Sequence, residues 1–160
     1  MTPTEEIDVW LLSDRPQASK IMARWYYDEW LTDVKGVTAE QVNEKVLQAA
    51  SASPLPAALL GYINHELIGA VELKLHENKH YPDYEHWLGG VYVKPSHRGL
   101  GVASKLITQA IAYARKSGVV KLYLQCESHN EALYKQHGFK VLHSGRHRVP
   151  VSIMMIVINK

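Results

Sequence analysis

Arg98-Gly99-Leu100-Gly101-Val102-Ala103-Ser104 places a guanidinium and two glycines where an apolar, strand-like run, Val91-Tyr92-Val93, gives way through Pro95 to a long amphipathic stretch. The first amides of a helix have no internal hydrogen-bond partner, and its N-terminus favours negative charge. Glycine at that point lets a ligand come close to the backbone. The chemistry this spacing fits is capture of an anion such as phosphate. It is not a Walker loop, because no Gly-Lys-Ser/Thr follows. It departs from the dinucleotide fingerprint too: Ser104 stands at the third glycine position, and the turn lies deep in the chain. Spacing alone leaves a tight strand-to-helix turn without a ligand as the alternative.

Two further segments are dense in aromatics and acids: "RWYYDEW", Arg24 to Trp30, and "YPDYEHW", Tyr81 to Trp87. Such a lining suits a cation, through charge and attraction to ring faces. Trp25 falls on a core stripe, whereas Tyr26, Tyr27 and Trp30 cannot all face inward. His76, His80 and His86 sit in an irregular stretch with no supporting ligand pattern, so no metal is expected. The one cysteine, Cys126, excludes an internal disulfide, fits a reducing, cytoplasmic setting, and reads as a small buried residue.

These groups need a frame. Ile7 to Ser13 alternates as a strand, and Gln17 to Leu31 carries Ala18, Ile21, Met22 and Trp25 at helical spacing. Thr38 and Gln41 form a capping-box signature for a second helix with Val42, Val46 and Leu47 on its inner stripe. "SASPLP" stops it. "AALLGYI" and "ELIGAVELKL" read as a hairpin turning at Asn64-His65, followed by a loop from His76 to His86. In the next strand, "WLGGVYV", the pair Gly89-Gly90 marks a bulge or a close backbone approach. A helix from about Gly99 to Ser117 follows, with Ala103, Leu106, Ile107, Ala110, Ile111 and Ala114 as its core stripe and Gly118 as its stop. With the strand "VVKLYLQC" it makes a βαβ unit whose two strands are parallel. Ser128 and Glu131 suggest a capping box for a short helix ending at Gly138. "FKVLHSG" and "VPVSIMMIVI" close the chain as an antiparallel pair. The expected fold is α/β in one domain with a mixed sheet.

At 160 residues the chain has the size of one domain, and 46% hydrophobic with 21% charged residues is ordinary for a globular protein. A net charge of +2 is too mild to argue for nucleic acid or an anionic membrane. The acidic N-terminal lead does not look like a secretory signal. The apolar C-terminal run is too short to span a bilayer.

Two motifs together carry a family resemblance. Arg98-x-x-Gly101-x-Ala103 resembles the Arg/Gln-x-x-Gly-x-Gly/Ala signature of the GNAT superfamily of acetyl-CoA-dependent N-acetyltransferases. "NEALYKQHGF" resembles that family's second motif, a short helix, with Asn130, Ala132 and Tyr134 before Gly138-Phe139. The order of elements agrees over nearly the whole length. The resemblance implies a mixed, mostly antiparallel twisted sheet whose central parallel pair splays around the cosubstrate, with about four helices.

It also implies roles. Acetyl-CoA would lay its pyrophosphate on the turn from Gly99 to Ser104, and its pantetheine arm along Val91, Tyr92 and Val93, with Asn130 nearby. Tyr134 would give a proton to the departing thiolate. The acceptor is expected to be a small cationic amine bordered by Tyr26, Glu29, Trp30 and Glu85. The glutamate that many members carry on the bulged strand is missing here, where Leu88, Gly89, Gly90 and Val91 stand. Glu72 and Glu85 are the nearest candidates for the base. Glu72 reads rather more readily as a solvated strand residue, which keeps a water open as the base. A non-catalytic acyl-CoA-binding sensor is the alternative, and a homodimer is left open.

Overall fold

In the computed structural model, residues 6–147 and 149–160 are described, so the acidic lead up to Glu5 lies outside them. Seven strands form one sheet in the order β1-β2-β3-β4-β5-β7-β6. β1 (Asp8–Leu11), β2 (Ala57–Ile63), β3 (Glu66–Leu75) and β4 (His86–Val93) pair antiparallel in sequence. The turn between β2 and β3 is the expected one, with Asn64 and His65 both at positive φ, the twist that a tight hairpin requires. β5 (Lys121–Cys126) lies parallel to β4, and β7 (Val149–Val157) sits between β5 and β6 (Lys140–His147).

The parallel pair is the weak seam of the sheet. Only Trp87 and Tyr123 are in register, so Val91 to Val93 at the end of β4 and Cys126 at the end of β5 diverge. The glycines of β4 explain part of this. Ala70 pairs with Tyr92 and Glu72 with Gly89, which leaves Gly90 and Val91 opposite the single residue Val71. That is the bulge expected from the glycine pair, and Gly90 adopts a φ of 59°, open to glycine at no steric cost.

Helices cover both faces. α1 (Ser19–Tyr26) and α2 (Ala39–Ser51) enclose one core with Leu12, Leu60, Leu67 and Ala70. The Thr38–Gln41 capping box forms in both directions, at 3.2 and 2.9 Å. α3 (Val102–Lys116) packs Leu106, Ile107, Ala110 and Ala114 on the other face against Val71, Leu73 and Leu124. The short α4 (Glu131–Lys135) follows β5. Among the described residues no helix is long and apolar enough to cross a membrane.

Four local readings need correction. The first helix is not one α-helix: a 3-10 turn (Pro16–Ala18) leads in, and a π turn (Tyr27–Leu31) follows α1. Its buried stripe is Ala18, Met22, Ala23 and Tyr26, while Ile21 is 48% exposed and Trp25 only half-buried. The apolar periodicity of Ile21 and Trp25 tracks the neighbouring face, where Trp25 stacks on Tyr92 instead of entering the core. Leu47 of α2 is likewise exposed. The Ser128–Glu131 capping box does not form, because Glu131 accepts a hydrogen bond from Ser152 of β7 and pairs with Lys135.

Candidate active site

The divergence of β4 and β5 opens a cleft of about 530 Å³. One wall is Val91, Tyr92 and Val93, and the floor at one end is the loop carrying Arg98, Gly99 and Gly101 with the first turn of α3, Val102 to Ser104. Asn130 and Tyr134 line it from the β5 side, and Glu29 and Trp30 line it as well. A second hollow, of about 420 Å³, is lined by Leu11, Ser13, Leu47 and Tyr113 among others, with no charged side chain to hold a ligand.

The glycine turn has the bare-backbone geometry its sequence suggests. Gly101 is the N-cap of α3 at φ 82°, and no side chain caps the helix. Its first amides therefore have no capping side chain among the described residues. A Cβ built at Gly99 or Gly101 would meet nothing within 4 Å, so both glycines border open space. Arg98 is fixed as well: its Nε donates to the Val93 carbonyl at 2.8 Å, and the guanidinium lies 5.5 Å from the Tyr92 ring centre. Val102 takes the core place that the helical stripe gave to Ala103, which turns toward the cleft. Leu100 packs against the core and does not line the cleft. Ser104 Oγ lies 3.1 Å from Nε2 of His137, tying the first turn of α3 to the end of α4.

Tyr134 sits in the middle. It packs edge-on against Phe139, with ring centres 6.1 Å apart. Burial, reinforced by Cys126, pushes its phenol up to about 12, so at neutral pH it keeps its proton. Burial, with Glu131 nearby, also pushes the Cys126 thiol up to about 11. Its thiol points at Met154 Sδ, 3.8 Å away, and it is no nucleophile.

The Tyr92 ring gathers an aromatic group. Trp25 stacks on Tyr92 at 5.0 Å, Trp30 meets the same ring edge-on at 6.2 Å, and Tyr26 lies 5.3 Å from Trp30. The π turn places Trp30 there; such turns recur at functional sites. Tyr26 is 5% exposed and stands behind this wall, its hydroxyl donating to the Gly90 carbonyl at 2.5 Å. Glu85 is not brought to the cleft. Its segment folds over β5 and β6, where Tyr84 stacks on Tyr123 at 4.0 Å and Tyr81 on His143 at 4.8 Å.

The sequence reading of Glu72 is overturned. It is 7% exposed, because the sheet face it occupies is covered by α1. Burial raises its carboxyl above the usual range, offset in part by Lys74 at 3.9 Å. Among the described residues no group of three or more His, Cys, Asp or Glu side chains could hold a metal ion.

A mixed sheet parted at its one parallel pair, with a bare helix N-terminus at the parting, is the fold of the acetyltransferases that the two motifs resemble. The model of the Acetyltransferase (GNAT) family matches residues 17–139, and the chain belongs to that family. Solved structures agree. The chain is similar to the GNAT-family acetyltransferase of Streptococcus pneumoniae, at 22% identity over 96% of this chain and 100% of that one, with a TM-score of 0.71. It is similar to yncA of Salmonella typhimurium, solved with its cofactor acetyl-CoA, at 18% identity over 96% and 95% of the two chains, with a TM-score of 0.72. Mutant forms of the spermidine/spermine N-acetyltransferase SpeG from Vibrio cholerae match at 19% identity, 96% and 95% coverage and a TM-score of 0.71. At these identities the likeness is one of fold. No curated protein sequence matches the chain.

Proposed function

We propose that the protein transfers the acetyl group of acetyl-CoA to a primary amine of a small cationic molecule, by direct attack in a ternary complex. The observation that carries this reading is that one cleft is lined by an uncapped helix N-terminus with Arg98, by Tyr134, and by Glu29 with Trp30 and Tyr92. Acetyl-CoA supplies the acyl thioester. The amides of Gly99 to Ser104 hold its pyrophosphate, and the backbone of Val91 to Val93, free of β5, pairs with its extended arm. A backbone amide near Tyr92 or Val93 polarises the thioester carbonyl as charge builds on it. Tyr134 protonates the leaving thiolate. Trp30, Tyr92 and Glu29 receive the cationic part of the acceptor.

The test is thiol release from acetyl-CoA with a series of amines graded from neutral to polycationic. Turnover should rise with positive charge at matched size. Trp30→Ala should then raise KM for the amine at least tenfold and leave KM for acetyl-CoA within about twofold. Equal effects on both constants would assign Trp30 a folding role. Acetyl-CoA binding without thiol release from any amine would instead mark a sensor.

A further inference from the structure

We propose that His137 is a positioning residue for acetyl-CoA: its Nε2–H holds the oxygen of Ser104, so that the serine hydroxyl keeps its proton for the diphosphate. The inference rests on the transfer reading above and deepens it. Ser104 is the third residue of α3 and lines the cleft with Arg98, Gly99 and Gly101. His137 itself does not line the cleft, but its Nε2 lies 3.1 Å from Ser104 Oγ, across thirty-three residues of sequence. Any effect of the imidazole on a ligand there passes through the serine.

Donor and acceptor counts decide the direction of that bond. A serine hydroxyl has one proton and two lone pairs, and a neutral imidazole has one N–H and one bare nitrogen. Burial lowers the His137 imidazolium below its usual range, so near neutral pH the ring is the neutral form. Were the hydroxyl to donate to Nε2, it would turn only lone pairs toward an anion. With Nε2–H donating to Oγ, the serine proton goes to a phosphate oxygen and each group is satisfied. A bond to an ionised acceptor is stronger than one between neutral groups. The imidazole strengthens it further, because each member of such a chain polarises the next.

The imidazole is itself held in place. The His137 N–H donates to the Tyr134 carbonyl at 3.0 Å, and Gly138, at φ 97°, turns the chain into the buried Phe139. The serine therefore meets the ligand with its rotor already fixed, and less ordering is left to the moment of binding.

Calorimetric titration with coenzyme A tests the assignment without any acceptor. His137→Ala should weaken coenzyme A about 5–10-fold, as loss of one net hydrogen bond would, and Ser104→Ala at least as much. The double variant should bind within about twofold of Ser104→Ala alone, because the imidazole acts only through the hydroxyl. His137→Gln, whose amide offers an N–H at similar reach, should recover affinity to within about twofold of the parent. In the coenzyme A complex near neutral pH, nitrogen-15 shifts of His137 should report a protonated Nε2.

Acetylpantetheine, the same thioester without the diphosphate, separates this role from a structural one. His137→Ala should leave its kcat/KM within about twofold of the parent. An equal loss with both thioesters would mean that His137 holds α4 and Tyr134 in place, and would overturn the assignment. So would additive losses in the double variant, or a bare Nε2 in the complex. A parent that binds coenzyme A and acetylates no amine would sink the transfer reading, while the affinities still decide this one. A parent that binds no coenzyme A would sink both.

Discussion

Tyr134→Phe should cut turnover by ~10–10³-fold while leaving acetyl-CoA affinity and Tm nearly unchanged. The substitution keeps the ring, and the ring is what packs edge-on against Phe139. Only the hydroxyl is lost. Because burial and Cys126 hold that phenol up at about 12, it is a proton donor throughout the neutral range. A basic limb in the rate profile below about pH 10 therefore belongs to another group and should survive in the variant. Stopped-flow measurement of thiol release, with chemistry shown to limit turnover, checks this. An unchanged rate would leave Tyr134 as a packing residue and give the proton to water.

Gly90→Ala should be the most damaging single-methyl change in the chain. Its φ of 59° is strained for any side chain, which costs about 1–3 kcal/mol. The new methyl would also lie 2.8 Å from the Tyr26 hydroxyl and 3.1 Å from Tyr26 Cζ. Tyr26 cannot step aside, because its ring is buried and its hydroxyl is bonded to the Gly90 carbonyl itself. Overpacking of this kind adds about 1–3 kcal/mol. Denaturant titration should show a stability loss of about 2–6 kcal/mol from the two effects together. Any folded fraction should turn over more slowly, since the bulge that sets Val91 to Val93 along the cleft is displaced. By contrast, Gly99→Ala, with nothing within 4 Å of its Cβ, should cost only the strain of its φ of 79°. Equal stability of Gly90→Ala and the parent would contradict the packing described for β4.

The glycine turn was legible because its meaning is local. A strand, two glycines at positive φ and an amphipathic helix determine a bare N-terminus without help from distant residues. The bulge at Gly89-Gly90 and the Thr38–Gln41 box were legible for the same reason. Glu72 was not, because alternation along β3 gives its face but not that Tyr26 covers it. Tyr26 was expected at the acceptor site and is buried behind it: Trp25 leaves the core to stack on Tyr92, while small Ala23 and Tyr26 take the buried side. Glu85 shares an aromatic-acidic composition with the segment ending in Trp30. Its loop goes instead to Tyr123 and His143, partners more than thirty residues away that no local pattern announces. Ser128 and Glu131 have the spacing of a cap, yet Ser152 across the sheet takes the carboxylate.

The fate of the acetyl group decides between direct transfer and its alternatives. The protein is incubated with acetyl-labelled acetyl-CoA and a polycationic amine, and both amine and protein are analysed by intact mass spectrometry. Direct transfer places label on the amine nitrogen, with free thiol in equal amount and no labelled protein at any time before completion. Label retained on coenzyme A with the complex formed, or carried on the protein ahead of the amine, would contradict direct transfer in this cleft.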